Sequence, residues 1–143
     1  MTVLTWNESL SLGVTSIDAE HEAMLGMLNA VLDPGGDLRT ARDAVEFVDR
    51  LLGFAIAHFG HEEALMQRIG YPELDSHRRA HVKLREQARY LRSTLEEEGN
   101  PALGRFELAG FLAEWLSDHL AGMDMELRPH IARHVALNGP IVL

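Results

Sequence analysis

The chain has no cysteine among its 143 residues. That excludes a disulfide framework, a thiolate metal site and an iron–sulfur cluster, so any metal must be held by imidazole and carboxylate. Basic side chains are also scarce: 13 Lys and Arg stand against 22 Asp and Glu, a formal charge of −9. A nucleic-acid interface needs basic patches against phosphate, so no nucleic-acid partner is expected. No stretch approaches the roughly 18 uninterrupted apolar residues of a membrane span, and no membrane partner is expected either. The N-terminal MTVLTWNESLSLGV lacks a basic region followed by an apolar run, so it does not read as a secretory signal, and cytoplasm is the expected compartment. There is no strand pattern, no repeat of fixed period and no low-complexity segment.

What is present is helical periodicity. Residues 1–17 show no sustained period and read as an extended arm whose Trp6, Leu10, Leu12, Val14 and Ile17 pack along the body. Ser16 or Asp18 then caps a first helix from about Asp18 to Leu32, with the stripe Met24, Leu25, Leu28, Val31 and Leu32. Asp33-Pro34-Gly35-Gly36 ends it. Asp37 caps a second helix reaching about Ile69, with Gly53 in its interior and Gly70 at the position of a C′ glycine. Gly53 marks a possible close helix contact. Pro72 opens the third helix, whose seam is Leu74, His77, His81, Leu84, Ala88, Leu91 and Leu95. Glu96-Glu97-Glu98 and Gly99-Asn100-Pro101 close it. A fourth helix starts near Pro101 with Asn100 as cap and carries Leu108, Phe111, Leu112, Trp115, Leu116 and His119. Gly122 loosens the chain before a short last helix from about Met125 to Leu137, and the Asn138-Gly139-Pro140 tail should fray.

Four amphipathic helices joined by short turns predict an all-α, up-down-up-down four-helix bundle with an N-terminal arm and a short C-terminal helix. The length predicts a single domain over 1–143: arm 1–17, bundle about 18–120, C-terminal segment about 121–143. No long exposed heptad face demands a multimer, so a monomer is expected.

Polar residues interrupt these apolar stripes. They are His21 on the first helix, His58 and Glu62 on the second, His77 and His81 on the third, and His119 on the fourth, with Asp124 just beyond. His58 and Glu62, like His77 and His81, stand four apart and so share a helical face. Buried imidazoles and carboxylates are costly unless paired, and a metal site resolves that cost. Five imidazoles and two carboxylates exceed the four ligands of a tetrahedral zinc and suit two metals with carboxylates bridging. Such ligands are compatible with iron, manganese or zinc.

The pattern His21, His58-x-x-x-Glu62, His77-x-x-x-His81, His119-x-x-x-x-Asp124 resembles the hemerythrin family, and the length and arm resemble its bacterial members. Trp6-Asn7, Asp18-x-x-His21, His58-Phe59 and Gly70-Tyr71-Pro72 add to the resemblance, which spans Trp6 to Asp124. It implies a non-haem di-iron centre. His77, His81 and His119 would hold one iron and His21 and His58 the other. Glu62 and Asp124 would bridge both, together with an oxo or hydroxo group. The iron with fewer ligands would keep an open position, where dioxygen would bind reversibly and be held as hydroperoxide. Met24, Phe59, Trp115, Leu116 and Leu120 adjoin the ligands and are candidates for the pocket wall.

Other residues read differently. His61 falls off the seam and reads as a surface histidine. His130 and His134 form another i, i+4 pair, but with no carboxylate in register. Glu63 reads as a solvated or network carboxylate. The favoured function is reversible dioxygen binding for storage, delivery or sensing, without catalysis. The alternative is a di-iron enzyme with peroxidase, oxidase or nitric-oxide-handling activity. Oxygen-activating di-iron sites are generally richer in carboxylates than this one.

Overall fold

A capping box starts the longest helix. Thr40 accepts a hydrogen bond from the Asp43 N–H while the Asp43 carboxylate accepts from the Thr40 N–H, launching α2 (Ala41–Ile69). The cap is therefore three residues downstream of Asp37, which lies outside the described residues. The computed structural model describes residues 5–33, 36, 38–98 and 101–143, less the side chains of 98 and 101–103. The expected stop at Pro34-Gly35 and the expected cap Asn100 also fall outside them. At its far end α2 stops at Gly70, whose φ of 66° is the left-handed conformation that glycine adopts without a Cβ clash.

The first helix, α1 (Thr15–Leu32), begins three residues earlier than its pattern implied, and neither Ser16 nor Asp18 is its N-cap. Asp18 instead reaches back into the arm, accepting from the Leu12 N–H at 2.8 Å and the Ser11 hydroxyl at 2.5 Å. The arm contains a short 3-10 turn, Glu8–Leu10, and buries Leu12 and Val14. α3 (Leu74–Glu98) starts two residues after Pro72, because Pro72 and Glu73 form a turn closed by the Leu74 N–H on the Tyr71 carbonyl.

The last part of the chain departs most from expectation. From α4 (Pro101–Glu114) to α5 (Arg128–Asn138) the backbone never leaves helical geometry. It passes through a π-helical stretch, Trp115–Met123, and a 3-10 turn, Asp124–Leu127. The tail does not fray: Ile141 is buried, and Arg68 Nη1 donates to the Val142 carbonyl at 3.0 Å. Gly53 makes no close helix contact either, since a Cβ there would meet nothing within 4 Å.

The helices form a bundle with two apolar regions. The larger includes Met24, Leu28, Val48, Leu51, Phe59, Leu91, Leu112 and Leu116. The smaller closes one end with Leu12, Ile17, Leu65, Met66, Tyr71, Leu127, Ile131 and Ile141. The polar residues lie near the junction of the two regions, although His58 and His119 are flanked along their helices by members of the larger region alone. His21 sits between Ile17 and Met24, and Glu62 between Phe59 and Leu65. The polar group is thus sealed above and below by hydrocarbon. No strand occurs among the described residues, and no described helix is long and apolar enough to cross a membrane.

Candidate metal centre

The seven polar residues on the apolar stripes, His21, His58, Glu62, His77, His81, His119 and Asp124, are all buried and come together between the helices. α1 supplies His21, α2 supplies His58 and Glu62, and α3 supplies His77 and His81. The π-helical stretch supplies His119, with Asp124 as its C-cap. That geometry is required by the spacing. On an α-helix a residue five positions on lies about 140° around the axis. In the π stretch the Asp124 N–H instead donates to the His119 carbonyl, an i→i+5 bond that returns Asp124 to His119's face.

Each carboxylate divides its oxygens between two groups of histidines. Glu62 Oε2 lies 3.0 Å from His21 Nε2 and 2.7 Å from His58 Nε2. Its Oε1 lies 3.1 Å from His77 Nε2 and 3.4 Å from His81 Nε2. Asp124 repeats the division, with Oδ2 3.3 Å from His21 Nε2 and Oδ1 2.9 Å and 3.1 Å from His77 and His119 Nε2. Two donor sets result, Glu62, His77, His81, His119 and Asp124, and His21, His58, Glu62 and Asp124, each with ligand atoms within 4.8 Å of one another. They share both carboxylates.

Several of these contacts are poor hydrogen bonds. His58 Nε2 and Asp124 Oδ1 are buried without an aligned partner, although each lies within 3 Å of an opposing atom. The Nε2 atoms of His81 and His119 face each other at 3.1 Å, where two lone pairs would repel unless a proton or a cation intervenes. Donor atoms about 3 Å apart are what an octahedral ion with bonds of about 2.1 Å requires. The donor set therefore fits a pair of cations better than it fits itself.

Electrostatics agree. Burial pushes His21 and His77 down, but hydrogen bonds to Asp124 and Glu62 override it and raise them to about 10 and about 9. His58 is raised in the same way by Glu62. Burial opposes the charge on Glu62, yet four surrounding imidazoles hold it well below the usual carboxylate range. Asp124 is held low against burial and the nearby Glu62 charge. Without metal, the carboxylates stay anionic and the protons held by His21 and His77 balance their charge.

Outside the seven, two residues that sequence reasoning left out or undervalued become prominent. Glu20, which precedes His21, accepts from His58 Nδ1 at 3.1 Å and His61 Nδ1 at 2.7 Å. Glu63 accepts from His81 Nδ1 at 3.0 Å and Arg78 Nε at 2.9 Å. The only advance sign of Glu20 was its place beside a ligand candidate. His61 is 59% exposed, as expected, but is tied to Glu20. His130 packs edge-on to Tyr71, His134 contacts Asn138, and neither belongs to a potential metal cluster among the described residues.

The candidate pocket residues Met24, Phe59, Trp115, Leu116 and Leu120 are all buried in the larger core. Phe59 stacks on His81 with ring centroids 4.0 Å apart, and its ring is 5.9 Å from His58 and 5.8 Å from Trp115.

The chain is similar to known proteins over most of its length. Residues 12–131 match the family described as hemerythrin HHE cation binding domain. The bacteriohemerythrin of Ralstonia nicotianae is 33% identical over 133 residues, covering 93% of this chain and 92% of the relative. That of Stenotrophomonas maltophilia is 30% identical over 137 residues, covering 94% and 86%. A hemerythrin-like protein of Naegleria gruberi is 24% identical over 123 residues, covering 86% and 89%. With its helical bundle and buried His/Glu/Asp cluster, the chain belongs to the hemerythrin family.

Proposed function

We propose that His77, His81 and His119 hold one iron ion, that His21 and His58 hold the other, and that Glu62 and Asp124 bridge them, with an oxo or hydroxo group completing the bridge. On this reading the chain reversibly binds dioxygen, for storage, delivery or sensing. The observation that carries it is the division of both carboxylates between a set of three histidines and a set of two. The smaller set leaves its ion with fewer protein ligands. When bound, the iron pair supplies an open coordination position and two electrons.

The chain's own residues do the rest. Glu62 and Asp124 offset the charge of the two cations in a site whose seven side chains are all buried. Five neutral imidazoles add no further negative charge, which disfavours high-valent chemistry and so the enzyme alternative. Met24, Leu116 and Leu120, proposed as pocket walls, are buried and carry no acidic proton. Phe59 and Trp115, proposed for the same wall, fill space beside His81, Phe59 by stacking on its ring.

The test is a visible spectrum of anaerobically reduced, iron-loaded protein before oxygen, after oxygen, and after oxygen is removed. Charge-transfer bands that appear and then vanish support the proposal. Bands that decay to a ferric product with release of peroxide would replace it with the enzyme reading. Glu62→Ala is expected to lose the paired centre, and two irons with a parental spectrum in that variant would contradict the ligand assignment.

A further inference from the structure

All five site imidazoles turn Nε2 inward, which leaves their Nδ1 atoms pointing away from the centre. Those outward nitrogens are treated unequally. His21 Nδ1 and His77 Nδ1 are buried without a partner among the described residues. His58 and His81 each meet a carboxylate, Glu20 and Glu63 respectively. His58 belongs to the two-histidine set and His81 to the three-histidine set, so each proposed metal has one ligand backed by an anion.

The carboxylates themselves are held differently. The outer oxygen of Glu63 accepts from Arg78, a guanidinium that is always cationic and also lies 3.8 Å from Asp75. The outer oxygen of Glu20 accepts from the imidazole of His61, and no described arginine or lysine is paired with it. A full cation drains the charge that Glu63 can offer to His81. His61, unlike an arginine, is not a permanent cation, so no fixed positive charge opposes Glu20.

We infer that Glu20 and Glu63 are positioning residues that make the two metals electronically unequal, with Glu20 the stronger of the two and Arg78 setting the weaker one. The inference rests on the ligand assignment proposed above. An anionic acceptor on Nδ1–H fixes the ring's orientation and tautomer and makes Nε2 a better donor. Glu20 thereby raises the electron density at the His21/His58 metal, and favours its oxidised state, by more than Glu63 does at the other metal. The His21/His58 metal is also the one with the open position, so Glu20 bears on the exchange that the site performs.

The experiment compares the parent chain with Glu20→Gln, Glu63→Gln and Arg78→Met. Each is loaded with Mössbauer-active iron, and iron content, Mössbauer signals and reduction potential are read. Glutamine keeps the shape and an acceptor oxygen but removes the charge. In the parent, two irons with distinct signals are expected. E20Q is expected to perturb one signal and raise the potential, by about 59 mV for a tenfold loss of preference for the oxidised one-electron state. E63Q is expected to perturb the other signal with a smaller rise. R78M is expected to lower the potential, because Glu63 then offers its full charge to His81. A purely structural role would not produce opposite signs from E63Q and R78M.

Parental potentials and signals in all three variants, with two irons retained, would overturn the inference and leave the ligand assignment standing. So would E20Q and E63Q perturbing the same iron. A parent chain that holds no iron pair would overturn the assignment, and the inference with it. Far-ultraviolet circular dichroism of each metal-free variant establishes that it folds, so loss of folding is not misread as loss of tuning.

Discussion

The Asp124 N–H donates to the carbonyl of His119, five residues earlier, and Asp124 Oδ1 lies 3.1 Å from Nε2 of the same histidine. Backbone and side chain thus link the same pair, and the π geometry that makes the first contact permits the second. Asp124 alone combines a contact to each histidine set with an end-of-helix backbone position. Asp124→Asn is therefore expected to fold, since it keeps size and backbone, but to bind at most one metal per chain. Metal analysis after anaerobic loading with iron checks this. Two tightly held irons in D124N would mean that Asp124 is not a bridge.

Much of the candidate site was legible because polar residues on apolar stripes leave a trace in the sequence. His21, His58, Glu62, His77, His81 and His119 each sit where a helix should be apolar, and all are buried together. Asp124 was legible only through the family's spacing, because on an α-helix it would point elsewhere. Glu20 was not legible, and Glu63 was legible only as a solvated or network carboxylate, since an acid beside a ligand candidate is indistinguishable in sequence from any solvated helix acid. Their partners, His58 and His61 for one and His81 and Arg78 for the other, come from the neighbouring helix. The starts of the first two helices were missed for a similar reason, although their ends at Leu32 and Ile69 were not. Thr40-x-x-Asp43 is a capping box that the nearby Asp37 obscured, and Asp18 serves the arm rather than its own helix.

The raised histidines give the metal-free protein a defined pH response. A group whose pKa is raised by folding stabilises the folded state fully below its unfolded value, about 6.5 for histidine. That contribution is lost as pH rises through about 9 for His77 and about 10 for His21. Glu62 and Asp124, held low, stabilise above the ordinary carboxylate range, and that contribution is lost as pH falls through their lowered values. Denaturation midpoints of the metal-free chain should therefore decline on both the acid and the alkaline side of a broad maximum. Metal binding requires the lone pairs of Nε2, so loading at pH 7 should release at least the protons of His21 and His77. Calorimetry in two buffers of different ionisation enthalpy counts them. Absence of release would mean that the imidazoles are already neutral.

Two glycines, Gly53 within α2 and Gly70 just past its end, should respond in opposite directions to alanine. Gly53 is an exposed interior helical position whose Cβ would meet nothing, so Gly53→Ala should stabilise by about 0.5–1 kcal/mol. Gly70 has φ 66°, and alanine there should cost about 1–2 kcal/mol despite equally open space. Chemical denaturation of both metal-free variants against the parent separates backbone conformation from packing. A G53A loss comparable to that of G70A would contradict the open surroundings of Gly53.

The C-terminal tail offers a test of stability without chemistry. Gly139, at φ 85°, turns the chain off the end of α5 after its N–H closes on the Val135 carbonyl. This delivers Ile141 into the apolar end cluster of Leu12, Val14, Tyr71 and Ile131, and Arg68 then holds the Val142 carbonyl. Removing residues 139–143 exposes that cluster and forfeits about 1.5–3 kcal/mol from the isoleucine alone. At this chain length the metal-free protein should melt about 5–10 °C lower. None of the seven candidate ligands belongs to the tail, so the truncated chain should still take up two irons. The end cluster is also what seals the site on that side, with Tyr71 6.5 Å from the ring of His77. Backbone amides of the Leu65–Tyr71 region should therefore exchange faster with solvent in the truncated protein. An unchanged melting temperature and unchanged exchange there would show that Ile141 contributes no net packing energy. Loss of iron with a retained melting temperature would instead make the tail part of the centre's own enclosure.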